Sequence, residues 1–214
     1  MKTDSELKKQ ISDELDWDPR IVAPGIGVEV SQGVVTLSGH VRTYVEKIAA
    51  EKAAGRVSGV KGVVVHLEVR PDAQHGDEDI VLAARSALQW YVHVPGDQLQ
   101  VEIEKGWITL RGDVQWGFQR KAAEKAVTHI RGVVGVINLI RVVPKIVPEE
   151  IEGKIELALR RHVEREAHHI DIKATAGVVT LEGTVDSLAE RRAAAGAAWS
   201  APGVSEVINN LRVR

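Results

Sequence analysis

The chain of 214 residues is one unit written three times, and that repetition limits its folds more than any other feature. Gly33-Val34-Val35-Thr36-Leu37-Ser38-Gly39-His40-Val41 returns as Gly106-Trp107-Ile108-Thr109-Leu110-Arg111-Gly112-Asp113-Val114, and again as Gly177-Val178-Val179-Thr180-Leu181-Glu182-Gly183-Thr184-Val185. A second marker, Gly59-Val60, recurs in step at Gly132-Val133 and Gly203-Val204, so whole units are repeated. Their bounds are read as 1–72, 77–144 and 148–214. The joints, Arg70-Pro71-Asp72-Ala73-Gln74-His75-Gly76-Asp77 and Val143-Pro144-Lys145-Ile146-Val147-Pro148-Glu149, are charged or proline-containing. Units of about 70 residues fold alone only marginally, so packing between neighbours would help them.

Each unit opens on apolar residues four apart, Leu7/Ile11/Leu15, Ile80/Ala84/Leu88 and Ile151/Ile155/Leu159, which share one helix face. Alternation follows at Ile26/Val28/Val30, Leu99/Val101/Ile103 and Ile170/Ile172/Ala174, the period of a strand with one buried face. The Gly-x-x-Thr-Leu segment predicts a second strand antiparallel to the first, with Gly33, Gly106 and Gly177 as hairpin-turn residues at positive φ. Alanine-rich stretches around Ile48–Ala54, Lys121–Val127 and Arg191–Ala198 predict a second helix. Gly59, Gly132 and Gly203 stand where those helices end, and a third strand such as Val63/Val65/Leu67/Val69 follows. The expected class is α+β (α/β): three tandem αββαβ modules, each a small three-stranded mixed sheet with two helices on one face. Strand order stays open.

The hairpin motif Gly-x-x-Thr-Leu-x-Gly-x-Val (with Gly39, Gly112 and Gly183 at its second glycine), together with the Gly-Val-x-x-Val opening of the last strand, resembles the BON domain (bacterial OsmY and nodulation) in all three copies. The resemblance implies kinship with osmotic-stress envelope proteins, secretins, channel proteins and a potassium-binding stress protein, and a proposed affinity for phospholipid. It attaches no catalytic residue and no cofactor. The function expected is therefore a non-enzymatic, stress-associated binding or scaffolding protein that engages protein partners, or itself, ahead of phospholipid at the envelope. A potassium-responsive binding protein is the alternative.

Lys+Arg 28 against Asp+Glu 30 leaves a formal charge of −2, with no overall positive potential to draw nucleic acid or anionic lipid from a distance. Zero cysteines remove disulfides, thiolate catalysis and thiolate metal sites. No apolar run suits a signal peptide or a membrane span, so as written the chain is expected in the cytoplasm; one trimmed of a signal peptide would read the same and belong in the periplasm.

If Val35, Leu37 and Val41 face the core, the opposite parity puts Val34 and Val64, then Trp107, Ile137 and Leu139, then Val178 and Ile208 on the outer sheet faces. An apolar patch returning in each unit reads as a surface to be covered by neighbouring repeats or a partner, ahead of ordinary scatter and ahead of lipid. Trp116-Gly117-Phe118 replaces Thr43-Tyr44-Val45 and Ser187-Leu188-Ala189 before the second helix. Trp supplies no cap acceptor, which makes Trp116 and Phe118 candidate recognition anchors, with core packing an equal reading. Trp17 and Trp90, matched after the first helices and replaced by Arg161, read as packing residues. His168-His169 would point to opposite faces of a strand, and no metal site is expected. Asp16 and Asp18 could give oxygens to potassium but read as a solvated helix end. Gly59-Val60-Lys61-Gly62 and Gly132-Val133-Val134-Gly135 resemble the KH-domain GxxG loop in the wrong context, so no nucleic-acid partner is expected. No P-loop, dinucleotide site or Ser/His/Asp set stands in a recognisable setting.

Overall fold

The structure is a computed structural model that describes residues 2–71, 75–91, 95–143, 170–201 and 203–214. The helical trio Ile151/Ile155/Leu159, Arg161 and the pair His168-His169 lie outside the described residues.

The first module runs α1 (Asp4–Trp17), β1 (Ile26–Ser31), β2 (Val34–Val41), α2 (Tyr44–Arg56), β3 (Gly62–Val69). The second repeats it as α3 (Asp77–Trp90), β4 (Leu99–Glu104), β5 (Trp107–Val114), α4 (Gly117–Thr128), β6 (Gly135–Val142). The third shows β7 (Ile170–Thr175), β8 (Val178–Val185), α5 (Leu188–Ser200), β9 (Glu206–Val213). In every sheet the middle segment of the sequence is the middle strand: β1 pairs β2 antiparallel and β2 pairs β3 parallel, and likewise in the other two modules. The parallel pairing requires the crossover through the second helix. Three separate cores result. In the first, Leu7, Ile11 and Leu15 of α1 meet Val35, Leu37 and Val41 of β2, all at most 2% exposed. Each such side chain contributes about 1.5–3 kcal/mol on burial.

The hairpins turn through two residues, both at positive φ: Gln32 and Gly33, Lys105 and Gly106, Ala176 and Gly177. That is the primed turn whose twist matches the strands. The glycines are at positive φ as expected, and Gln32 at φ 51°, Lys105 at 50° and Ala176 at 49° share that conformation. In the first two modules an aspartate at the start of the first helix holds this turn. Asp4 accepts from the Gln32 and Gly33 amides at 2.8 and 3.0 Å, and Asp77 from those of Lys105 and Gly106 at 2.8 and 2.9 Å. A carboxylate filled by two amides ties helix to hairpin, and its sequence signal was the recurrence of Asp at the same place in both units. Gly59, Gly132 and Gly203 sit at positive φ in the turn that leads into the last strand.

The modules do not stack sheet on sheet. They meet through their second helices, in a closed ring in which each helix start docks on the next module. Tyr44, the first residue of α2, packs against the second module's core with its phenol hydrogen-bonded to the Val136 backbone, near Thr128. Gly117, the first residue of α4, lies against Trp199 of α5, and Arg120 sits over the Trp199 ring at 5.5 Å. Leu188, the first residue of α5, packs on the first core beside Gly55, and Arg192 pairs with Glu51 at 2.8 Å. Tyr44, Gly117 and Leu188 are equivalent positions, as are Gly55, Thr128 and Trp199. Bulky Tyr44 shares a groove with Thr128, Gly117 faces bulky Trp199, and Leu188 faces Gly55. Departures between repeats that look arbitrary one at a time are complementary in volume across the joints, as close packing demands.

Candidate functional site

β5 and β6 pair with Trp107 opposite Gly135, Thr109 opposite Ile137 and Arg111 opposite Leu139. All six therefore project from the sheet face away from the helices. The Trp107 ring lies across Gly135, where any Cβ would collide with it. Trp107, Ile137 and Leu139 are 46%, 43% and 45% exposed and form one patch. Ion pairs edge it: Arg111 with Glu102 at 3.4 Å, and Arg141 with Asp113 at 2.8 Å. An apolar centre with a charged rim is the anatomy of a protein-binding face. Val34, Val64 and Ile208 on the other two sheets are exposed as well. Packing of these faces on neighbouring repeats, one of the two coverings expected from sequence, is absent among the described residues, because the ring uses the opposite side of each module.

Trp116 and Phe118 stand at the other end of β5, away from Trp107, so the structure separates the two candidate groups. They are exposed, and their rings stack at 6.4 Å and 25°. Trp116 occupies the N-cap of α4 and gives the helix no side-chain acceptor. The equivalent Thr43 and Ser187 each accept from an amide one turn on, at 3.1 Å in both cases. Gln119 satisfies only the return half, accepting from the Gln115 and Trp116 amides at 3.0 Å. Relative to Thr, Trp at this position costs about 1 kcal/mol. Helix stability is not what the residue serves.

Trp17 and Trp90 are not packing residues: each is 85% exposed. At 100° per residue Trp17 lies about 120° around the helix from the middle of the Leu7, Ile11 and Leu15 stripe, beside the buried face and at the helix's last residue, and the same holds for Trp90 relative to Ile80, Ala84 and Leu88. Asp18 is likewise not a solvated helix end. It is 6% exposed, accepts from Arg20 Nε and Nη2 at 2.9 and 2.6 Å and from the Arg20 amide at 3.2 Å, and lies 3.7 Å from Arg56. The Arg20 guanidinium foremost, with its amide and the Arg56 charge, holds the Asp18 carboxyl down to about 2 against its burial. Both oxygens are engaged, which leaves neither for a cation. Its pKa is depressed below an unfolded value of about 3.9, so its stabilisation is complete above that pH and is lost as pH falls through about 2. Asp18→Asn is expected to destabilise the first module by about 1–3 kcal/mol at pH 7, with the difference from the parent closing toward pH 2. Urea unfolding of both chains at the two pH values checks this; an equal gap at both would remove the ion pair as its cause.

Among the described residues no three His, Cys, Asp or Glu side chains gather as a metal would need, and no helix is long and apolar enough to cross a membrane.

With fold and surfaces in place, the family follows. The BON domain matches residues 3–71, 76–144 and 149–214. The chain belongs to the BON-domain family. Osmotically-inducible protein Y of Escherichia coli (strain K12) is 31% identical over 142 residues, 63% of this chain and 70% of that protein. Two solved structures of CdsD, a structural protein of the type III secretion system of Chlamydia trachomatis, align over 98% of this chain and 98% and 92% of their own. Their identities of 18% and 17% and TM-scores of 0.26 and 0.27 are too low to establish a shared arrangement. BON-domain proteins are not known as enzymes.

Proposed function

We propose that this three-fold BON protein is a non-enzymatic, stress-associated binding and scaffolding protein of the bacterial envelope, and that its principal ligand is a protein seated on the second module's outer sheet face. One observation carries the reading: Trp107, Ile137 and Leu139 form a contiguous apolar patch, bordered by ion pairs, on the side of the module that the ring leaves open. The stress association rests on likeness to a protein named as osmotically inducible. Buried aromatic anchors dominate binding energy at such faces, and the stacked pair Trp116 and Phe118 offers a second one on the same module.

The test is site-specific photo-crosslinking in cells before and after osmotic upshift. The photoreactive residue replaces Thr109, which projects from the patch face, or Glu14 on the first helix as control. A discrete protein adduct from position 109 alone is expected, lost when Trp107→Ser and Leu139→Ser are added. Trp116→Thr is expected to raise thermal stability without removing that adduct. Equal adducts from both positions, or none from 109, would sink the protein-partner reading. Exposed Trp17 and Trp90 support a second reading, phospholipid, because Trp favours the membrane–water interface. Flotation with phosphatidylglycerol vesicles that is lost in Trp17→Ser/Trp90→Ser would put lipid first.

A further inference from the structure

An open cleft of about 1030 Å³ lies where α2, α4 and α5 converge. Seven Lys and Arg line it against two carboxylates, Glu51 and Glu124, and of the seven Arg20 is already held by Asp18, in a chain whose formal charge is −2. Glu51 is engaged by Arg192 at 2.8 Å. Among the described residues, Lys52, Lys121 and Lys125 have no ion-pair partner. Lys121 is exposed, but its ammonium lies near Gly196 of α5, and partial desolvation there pushes its pKa down against the pull of Glu124. In the same wall the Arg191 Nε is buried with no hydrogen-bond acceptor. Three ammoniums without an ion pair, beside a guanidinium whose Nη2 donates to the Asn209 carbonyl at 3.1 Å while its Nε has no acceptor, are an arrangement short of negative charge.

We propose that this central cleft binds a small anion carrying several phosphate groups, held by Lys52, Lys121 and Lys125 with Arg191 behind them. The ammoniums come from α2 and α4, helices of different modules, and a chain of two or three phosphates offers oxygens to each of them. The remaining wall includes Tyr44, Ile48 and Trp199, apolar area against which a base would lie. The phosphate chain could thus be a nucleotide's or free polyphosphate. Such a ligand would touch all three modules at once, linking ring closure to ligand supply.

The experiment uses the full chain, with ATP, tripolyphosphate, adenosine and sodium chloride at matched ionic strength. Calorimetric titration is paired with mass-spectrometric mapping of lysine acetylation by a succinimidyl ester. ATP and tripolyphosphate are expected to bind and to slow acetylation of Lys52, Lys121 and Lys125 at least about fivefold while leaving Lys8 and Lys9 unchanged, since paired ammoniums are poor nucleophiles. Adenosine is expected not to bind. Lys52→Gln/Lys121→Gln/Lys125→Gln is expected to weaken binding at least about tenfold, and the labelling of the parent chain decides the matter if that variant does not fold. Equal affinities for ATP and tripolyphosphate would name the phosphate chain as the ligand; tighter ATP would name a nucleotide. Protection of the three lysines by sodium chloride alone, or binding untouched by the triple substitution in a folded chain, would overturn the proposal.

Discussion

Gly39→Ala is expected to unfold the first module, at a cost of roughly 3–5 kcal/mol. Gly39 lies inside β2 at φ 120°, a backbone state that any L residue holds only under strain of about 1–3 kcal/mol. A Cβ there would also overlap the carbonyl oxygen of Gly25 and come within 3.3 Å of its carbon. Those atoms belong to the helical turn Ala23–Gly25 that leads into β1, so no rotamer change relieves them. A module of about 70 residues has little more stability than that to lose. Gly112 repeats the geometry at φ 131° with the Gln98 oxygen at 2.5 Å from a Cβ, and Gly112→Ala should disable the second module in the same way. Gly33→Ala is the contrast. Its φ is 80°, but the nearest obstacles are 3.3 Å away and one is the flexible Lys61 stem, so a loss of about 1 kcal/mol is expected. Hydrogen exchange over β1, β2 and β3 reads the difference directly. Protection of β1–β3 in Gly39→Ala equal to the parent's would refute the close approach.

The elements were legible because their signals are local and written three times. Strand parity put Val35, Leu37 and Val41 inside and Trp107, Ile137 and Leu139 outside, where the structure has them. Trp17 and Trp90 read as packing residues because they recur at matched positions, but recurrence does not say whether a position is inside, and both flank the buried stripe at the last residue of their helices. The middle place of β2, β5 and β8 could not be read, because alternation shows which face a strand buries and not which neighbour it pairs with. Asp18 misled for a related reason. Its partner Arg20 is visible two residues on, but the burial that makes the pair matter comes from the fold. The central cleft was hidden by summation, since a net charge of −2 says nothing about where seven cations converge. The ring itself is in the sequence only as differences between repeats, Tyr44/Gly117/Leu188 against Gly55/Thr128/Trp199, and these become complementary only once it is known which surfaces meet.

That complementarity is open to one decisive substitution, because two physical effects predict opposite signs for it. Gly117 is a helical residue, and in an isolated helix Gly→Ala stabilises by up to about 1 kcal/mol. In the ring, however, a Cβ on Gly117 would stand 2.6 Å from the Trp199 carbonyl oxygen and 2.7 Å from its ring carbon Cε3. The ring could swing, but the backbone oxygen could not, so α5 has to withdraw and Arg120 loses its place over the indole. Overpacking of this kind costs about 1–3 kcal/mol, which exceeds the helical gain. Gly117→Ala is therefore expected to lower the melting temperature, to split calorimetric unfolding as the third module uncouples, and to raise the radius of gyration. Gly55→Ala is the matched control at another joint. Its Cβ would meet Leu188 and Arg192 side-chain atoms at 3.4–3.6 Å, ordinary contact, so it should be neutral or slightly stabilising. If Gly117→Ala instead melts in one transition at or above the parent's temperature, helix propensity has won and the second and third modules are not held together through Trp199; the anion cleft, which needs that joint closed, would lose its third wall with it.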